Sequence, residues 1–256
     1  MACGGRGLLP GMLVLAVAVF APAMISAAGG TRPAGSADDA PEKISHLLVL
    51  GDFNRDGTVD HAEAFATAEG LSQGKLTVSL GRPDGTFQEV GSKVALGLKP
   101  QSMVAGDFNG DGSLDLVVGD AGGELLLFVG NGTGNMTAAG QVGRFQSAVS
   151  IAVADFDHDG LADLAISDSR ASSVTVLLGA RNGVFHSGGS FPLRMMGTKP
   201  HVAVADFNGD GIPDLAVVYD NEDGDTFDVL LGNGKGGFTA APELGRVRDP
   251  NAHCVT

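Results

Sequence analysis

Four nine-residue segments gather the side chains best suited to binding chemistry: DFNRDGTVD from Asp52, DFNGDGSLD from Asp107, DFDHDGLAD from Asp155 and DFNGDGIPD from Asp206. Each places an acidic or amide side chain at positions 1, 3, 5 and 9. A hard divalent cation such as calcium takes about six to eight oxygen ligands, and this spacing, with a backbone carbonyl at position 7, supplies most of them. The side-chain ligand sets read from the spacing are Asp52, Asn54, Asp56 and Asp60; Asp107, Asn109, Asp111 and Asp115; Asp155, Asp157, Asp159 and Asp163; and Asp206, Asn208, Asp210 and Asp214. The carbonyls would come from Thr58, Ser113, Leu161 and Ile212. About four calcium ions are expected on this basis.

Asp, Asn and Gly also favour plain turns. Charge argues for more than a turn, because three or four carboxylates within nine residues repel one another unless a cation neutralises them. Thirteen aspartates lie in the four segments, and the net charge is −14, so four divalent ions would offset eight of those charges. The expected role of the metal is structural: a loop that is repulsive without it becomes a fixed connector with it.

Other chemical patterns are weaker. Glu63 at position 12 completes an EF-hand spacing in the first copy, but the equivalent positions elsewhere are Val118, Ile166 and Val217, and no helical periodicity flanks the loops. GLSQG at 70–74 matches the GxSxG nucleophile pattern at Ser72, without the strand-turn-helix context that pattern requires. Gly232, Gly234 and Gly237 read as GxGxxG but precede no helix, so a hairpin is expected. The six histidines (His46, His61, His158, His186, His201 and His253) show no close metal-binding spacing, and His158, at position 4 of the third segment, is expected to face solvent. Asn131 and Asn135 head sequons in form only. No catalytic site is read, and the chain is not expected to be an enzyme.

The elements that position the acidic segments follow from the repeat itself. Successive copies start 55, 48 and 51 residues apart, and each is followed by a second element: VSLGRPDGTF from Val78, LFVGNGTGNM from Leu127, VLLGARNGVF from Val176 and LLGNGKGGF from Leu230. Two elements in fixed order four times over mark a tandem architecture. The last copy contains four strand-like runs, at 201–206, 214–219, 226–231 and 237–242, with alternating Val and Ala in the first. Four-stranded units of about 50 residues in tandem predict an all-β fold, a β-propeller with four visible four-stranded blades. The blades are placed at 46–93, 100–143, 148–192 and 199–244.

The pairing of DFNGDGxxDL with a downstream LGNGxGxF resembles the FG-GAP/VCBS repeat, the blade unit of integrin α-subunit propellers and of many exported bacterial proteins. The resemblance covers His46 to Leu244. It implies calcium-stiffened blades that present loops in adhesion or recognition of a protein or glycan ligand. By fold analogy the binding surface is expected opposite the calcium loops, taking in the turns around Asp84, Asn131, Asn182 and Lys235. Propellers of this kind usually close with seven blades; four visible copies could close alone, be completed by homo-oligomerisation, or be part of a longer propeller. The alternative is an accessory domain of an exported hydrolase or carbohydrate-active protein.

Composition sets the remaining bounds. Arg6, the apolar run from Leu8 to Phe20 and the small residues Ser26-Ala27-Ala28 predict a signal peptide over 1–28 and a secreted, extracellular or periplasmic protein, with an uncleaved N-terminal anchor as the alternative that Pro10 and Pro22 argue against. Residues 29–45 are small, polar and Pro-containing, as expected of a flexible tether, and 245–256 form a C-terminal tail. Cys3 would leave with the signal and Cys254 stands alone, so no disulfide framework is read. Strong net acidity argues against nucleic acid as a partner, and nothing after the signal is long and apolar enough to span a membrane.

Overall fold

The computed structural model describes residues 43–67, 74–96, 99–120, 122–146, 148–193, 198–220 and 226–241. The expected signal peptide, most of the tether, Ser72, His253, Cys254 and the C-terminal tail lie outside them.

The described residues form sixteen strands and no helix. The first sheet contains β1 (Lys43–Gly51), β2 (Asp60–Thr67), β3 (Lys75–Gly81) and β4 (Phe87–Ala95). The second holds β5 (Pro100–Gly106), β6 (Asp115–Asp120), β7 (Glu124–Gly130) and β8 (Met136–Arg144). The third holds β9 (Ala148–Ala154), β10 (Asp163–Asp168), β11 (Ser173–Ala180) and β12 (Val184–Pro192). The fourth holds β13 (Thr198–Ala205), β14 (Asp214–Asp220), β15 (Thr226–Gly232) and β16 (Phe238–Ala240). Each sheet is an antiparallel meander in chain order. β1 begins within the segment expected as tether, and Lys43 pairs with Thr67 across a register shift.

These are propeller-like blades, and alternation explains how they stack. In β6, Leu116 and Val118 point toward the first blade, while Val117 points toward the third. Both faces of a middle strand are therefore buried, and β6 and β10 are buried along their whole length. Three apolar layers result, each between consecutive blades: Val49, Ala62, Val78 and Met103 in the first, Val104, Leu127, Leu164 and Ile166 in the second, Val176, Val202, Leu215 and Leu230 in the third. Small side chains such as Ala62 and Ala165 let the sheets approach closely.

The first strands pack in the order β1, β5, β9, β13. No comparable packing joins β13 to β1, so the sheets do not close into a ring.

In a four-stranded meander the first and third connections leave from the same end of the sheet. The acidic segments join the first strand to the second, and the Gly-rich turns join the third to the fourth. The turns around Asp84, Asn131, Asn182 and Lys235 therefore lie beside the acidic loops. The expectation that they form the opposite surface is corrected by this parity.

Candidate metal centres

Each acidic loop turns through two residues of positive φ, at positions 4 and 6. Position 6 is always glycine, for example Gly57 at 83° and Gly160 at 87°. Position 4 is Gly110 and Gly209 in two loops, but Arg55 at 63° and His158 at 61° in the others. The left-handed region disfavours a Cβ, so these two side chains carry a local strain.

The turn wraps the backbone around the side chain at position 1. In the first loop Asp52 accepts from the N–H of Asp56 at 3.1 Å and of Gly57 at 2.9 Å. Asp107, Asp155 and Asp206 accept from the corresponding groups of Asp111 and Gly112, Asp159 and Gly160, and Asp210 and Gly211. Position 3 accepts from the N–H of position 5, as Asn109 does from Asp111 at 2.8 Å. Position 5 accepts from the N–H of position 7, as Asp56 does from Thr58 at 2.7 Å. These bonds aim the oxygens of positions 1, 3 and 5 into one small volume.

The side-chain ligand set of the third loop differs in one residue, Asp157. In the other three, the amide of Asn54, Asn109 or Asn208 donates to the aspartate at position 5. The Asp157 side chain has no N–H to give. Asp155, Asp157 and Asp159 then bring three carboxylates within 4.8 Å of one another, a grouping that could hold a metal ion. It is also the most repulsive arrangement in the absence of one.

Position 9 stands apart from the other three. Asp60 accepts from the N–H of Phe53 and of Gly81, both at 2.8 Å. Asp115 accepts from Phe108 and Gly130, Asp163 from Phe156 and Gly179, and Asp214 from Phe207 and Gly232. The carboxylate thus clamps the start of the loop to the end of the blade's third strand. The glycine on that strand is required by close approach. A Cβ on Gly81, Gly130, Gly179 or Gly232 would fall 2.2, 2.1, 2.3 or 2.3 Å from the carbonyl oxygen of Val59, Leu114, Ala162 or Pro213.

Protonation follows these surroundings. Burial pushes Asp115 up to about 6 and Asp163 to about 7, against the backbone N–H groups that favour the charge; neighbouring carboxylates add to the rise. Asp60 is raised for the same reasons. The exposed Asp56 moves the other way, held low by the Asn54 amide and the Thr58 N–H. Asp206 is held low by the N–H of Gly211.

Contacts between loops of neighbouring blades escape the repeat pattern. Arg55 donates to the Asp111 carbonyl at 2.9 Å and to the Ser113 hydroxyl, and lies 3.5 Å from the Asp111 carboxylate. A guanidinium therefore already partly satisfies the second loop. The Gly-rich turns also reach back: Gly134 donates to the Phe53 carbonyl, Asn182 to Asn109 and Gly236 to Phe156. Acidic loops and turns thus form one continuous end of the arc.

The remaining sequence patterns resolve simply. Glu63 lies on β2, 3.4 Å from His46 and 3.6 Å from His61, so no helix follows the first loop and the EF-hand spacing is coincidental. Gly232, Gly234 and Gly237 belong to a hairpin in which the Asn233 side chain accepts from Lys235 and Gly237. Asn131 likewise caps its own turn through Thr133. His158 is exposed, as expected.

The FG-GAP-like repeat matches residues 52–118, 107–166 and 160–217, and the FG-GAP repeat matches 200–241. No curated protein matches the sequence. Among solved structures, that of the V. cholerae biofilm matrix protein Bap1 is similar over 80% of this chain at 17% identity, with a TM-score of 0.39. The chain spans 39% of the length of that protein.

Proposed function

The chain belongs to the FG-GAP-like repeat family, and from that premise we propose that it is an exported, non-catalytic recognition module with calcium-holding loops. The observation that carries the proposal is the grouping of the Asp155, Asp157 and Asp159 carboxylates within 4.8 Å of one another, in a loop whose backbone bonds recur in the other three. Those oxygens, with the position-7 carbonyls of Thr58, Ser113, Leu161 and Ile212, would hold the ions. The aspartate at position 9 either adds a second bond to the ion or serves as the strand clamp alone. Bound calcium supplies positive charge that offsets the carboxylates and fixes the loop against its neighbour.

The recognition surface in this proposal is the end of the arc that carries both loop sets. The Gly-rich turns stand beside the acidic loops and are exposed at Asp84, Asn131, Asn182 and Lys235. A rigid floor of strands with exposed loops above it is the common arrangement for binding sites. The ligand class is a protein or glycan of an extracellular surface, which family membership favours and the acidic charge permits.

A glycan array and a panel of extracellular matrix proteins, probed with the purified chain in calcium and in chelator, test the proposal. Binding that needs calcium, and is lost in a Lys235→Glu, Asn182→Asp double variant of unchanged melting temperature, is the expected result. Binding that survives both treatments would place recognition elsewhere on the molecule.

A further inference from the structure

The phenylalanine at position 2 of each loop marks where one blade enters the next. Phe53, Phe108 and Phe156 are 1%, 0% and 1% exposed, each sunk into the blade that follows. Phe53 packs with Leu114 and Met136. Phe108 packs with Ala162, and its ring centre is 5.8 Å from that of Phe185. Phe156 meets Phe238 edge to face at 5.4 Å. Phe207, the same residue in the fourth loop, has no such seat and is 49% exposed.

The matching socket is empty at the other end of the arc. Leu114 and Ala162 occupy position 8 of their loops, and Met136, Phe185 and Phe238 begin the outer strand. In the first blade these positions are Val59 and Phe87, 56% and 51% exposed. Three of the four large apolar side chains most exposed among the described residues are therefore this unfilled knob and unfilled socket.

The sheet faces behind them agree. The outward face of the fourth blade carries Ala203, Ala205, Ala216, Val218 and Leu231, opposite in alternation to the residues packed on the third blade. The outward face of the first blade has Leu48 and Leu50 beside the His46, Glu63 and His61 group. Glu63 stands where the later blades have Val118, Ile166 and Val217 in their buried layers. That face therefore carries polar groups where the later blades carry apolar ones.

We propose that the chain associates head to tail with a second copy of itself, Phe207 of each copy seating between Val59 and Phe87 of the other. Both elements are exposed on one chain because β13 does not pack on β1. Two copies satisfy both ends of both chains and close the assembly. Two sets of four sheets give eight blades, within the range of about four to eight over which propellers close. The inference rests on packing and is independent of the calcium proposal.

Sedimentation velocity on the full chain across a concentration series, in calcium, is the test. The wild type should show a two-copy species. Phe207→Asp and Phe87→Asp should each weaken it by about ten-fold or more, as expected of a central aromatic anchor. Phe207→Asp should leave the melting temperature of the single chain unchanged, because Phe207 is exposed; Phe87 also meets the His61 ring edge to face at 4.6 Å, so the melting temperature of its variant is measured beside its association. Val184→Asp, also at an exposed position (49%), should leave association intact. Mixing the two interface variants should yield a mixed pair, since one intact Phe207 then meets one intact socket. A wild type that stays single at every concentration would overturn the proposal. So would a pair indifferent to both substitutions, or a ladder of longer assemblies.

Discussion

A single ligand position sets the third loop apart. Asp157 replaces the asparagine whose amide donates to position 5 in the other loops, which removes a donor and adds a charge. The third loop is therefore the strongest proposed calcium site, and the second, which Arg55 already serves, is weaker. Asp157→Asn should lower the affinity of the tightest site in a calorimetric titration by about ten-fold, in line with the dependence of such sites on ligand charge. An unchanged isotherm would remove Asp157 from the ligand set. Gly130→Ala sets the opposite kind of test, since its Cβ would sit 2.1 Å from the Leu114 carbonyl oxygen. It should destabilise by about 3 kcal/mol or more, as other forced overpacking does. Urea unfolding would measure this, and a loss under about 1 kcal/mol would mean that the strand can shift away.

At the scale of the blade, the position-9 aspartate couples loop and sheet. Asp163→Asn would turn an N–H toward either Phe156 or Gly179, each of which donates to the carboxylate at 2.7 Å. A buried clash of donors costs about 1 to 3 kcal/mol. The same clamp gives a pH signature to the metal-free protein. Asp115 and Asp163 titrate near 6 and 7 when folded but near 3.8 when unfolded, because burial disfavours their charge. A raised folded value contributes stability that is full below the unfolded value and is lost as pH rises through the folded one. In chelator, stability should fall between about pH 4 and 7. The lowered groups Asp56, Asp84, Asp111 and Asp206 act only below that window. Calcium favours the ionised carboxylates and should flatten the slope. Chemical denaturation at several pH values, with and without chelator, measures both, and a metal-free stability that climbs from pH 4 to 7 would contradict the burial of these carboxylates.

The same elements show how far sequence reaches. Val202 and Val204 alternate with Ala203 and Ala205, and the strand expected at 201–206 is β13, Thr198–Ala205. Patterns of period two and acidic turns survive translation into structure because both are local. What depends on a neighbouring blade does not. Arg55 meets Asp111 across 56 residues, and no spacing within a single repeat encodes that. The clamp was hidden for a different reason: an aspartate at position 9 satisfies ligand spacing and backbone capping equally well. Fold analogy puts the Asp84, Asn131, Asn182 and Lys235 turns on the opposite surface, whereas the first and third connections of a four-stranded meander share one end.

On the scale of the whole molecule, three buried layers join four blades in series, so stability is distributed along the arc rather than held in one centre. Tyr219, the sole tyrosine, is buried in the layer between the third and fourth blades and donates to Asp228 at 3.1 Å. The chain has no tryptophan, so tyrosine emission reports that one layer. Metal in the loops should stabilise every layer at once, because each loop also receives a bond from the turn of the next blade at three of the four positions. The decisive measurement is the melting temperature of the purified chain in chelator and in millimolar calcium, followed by calorimetry and tyrosine emission together. Four sites, each at a calcium level about ten times its dissociation constant, would add about 6 kcal/mol, by mass action. For a chain of this size that is a rise of about 10 °C or more, with both signals moving in one transition. Equal melting temperatures in calcium and chelator would mean that the acidic loops are turns held by their own hydrogen bonds, and that the calcium account is wrong.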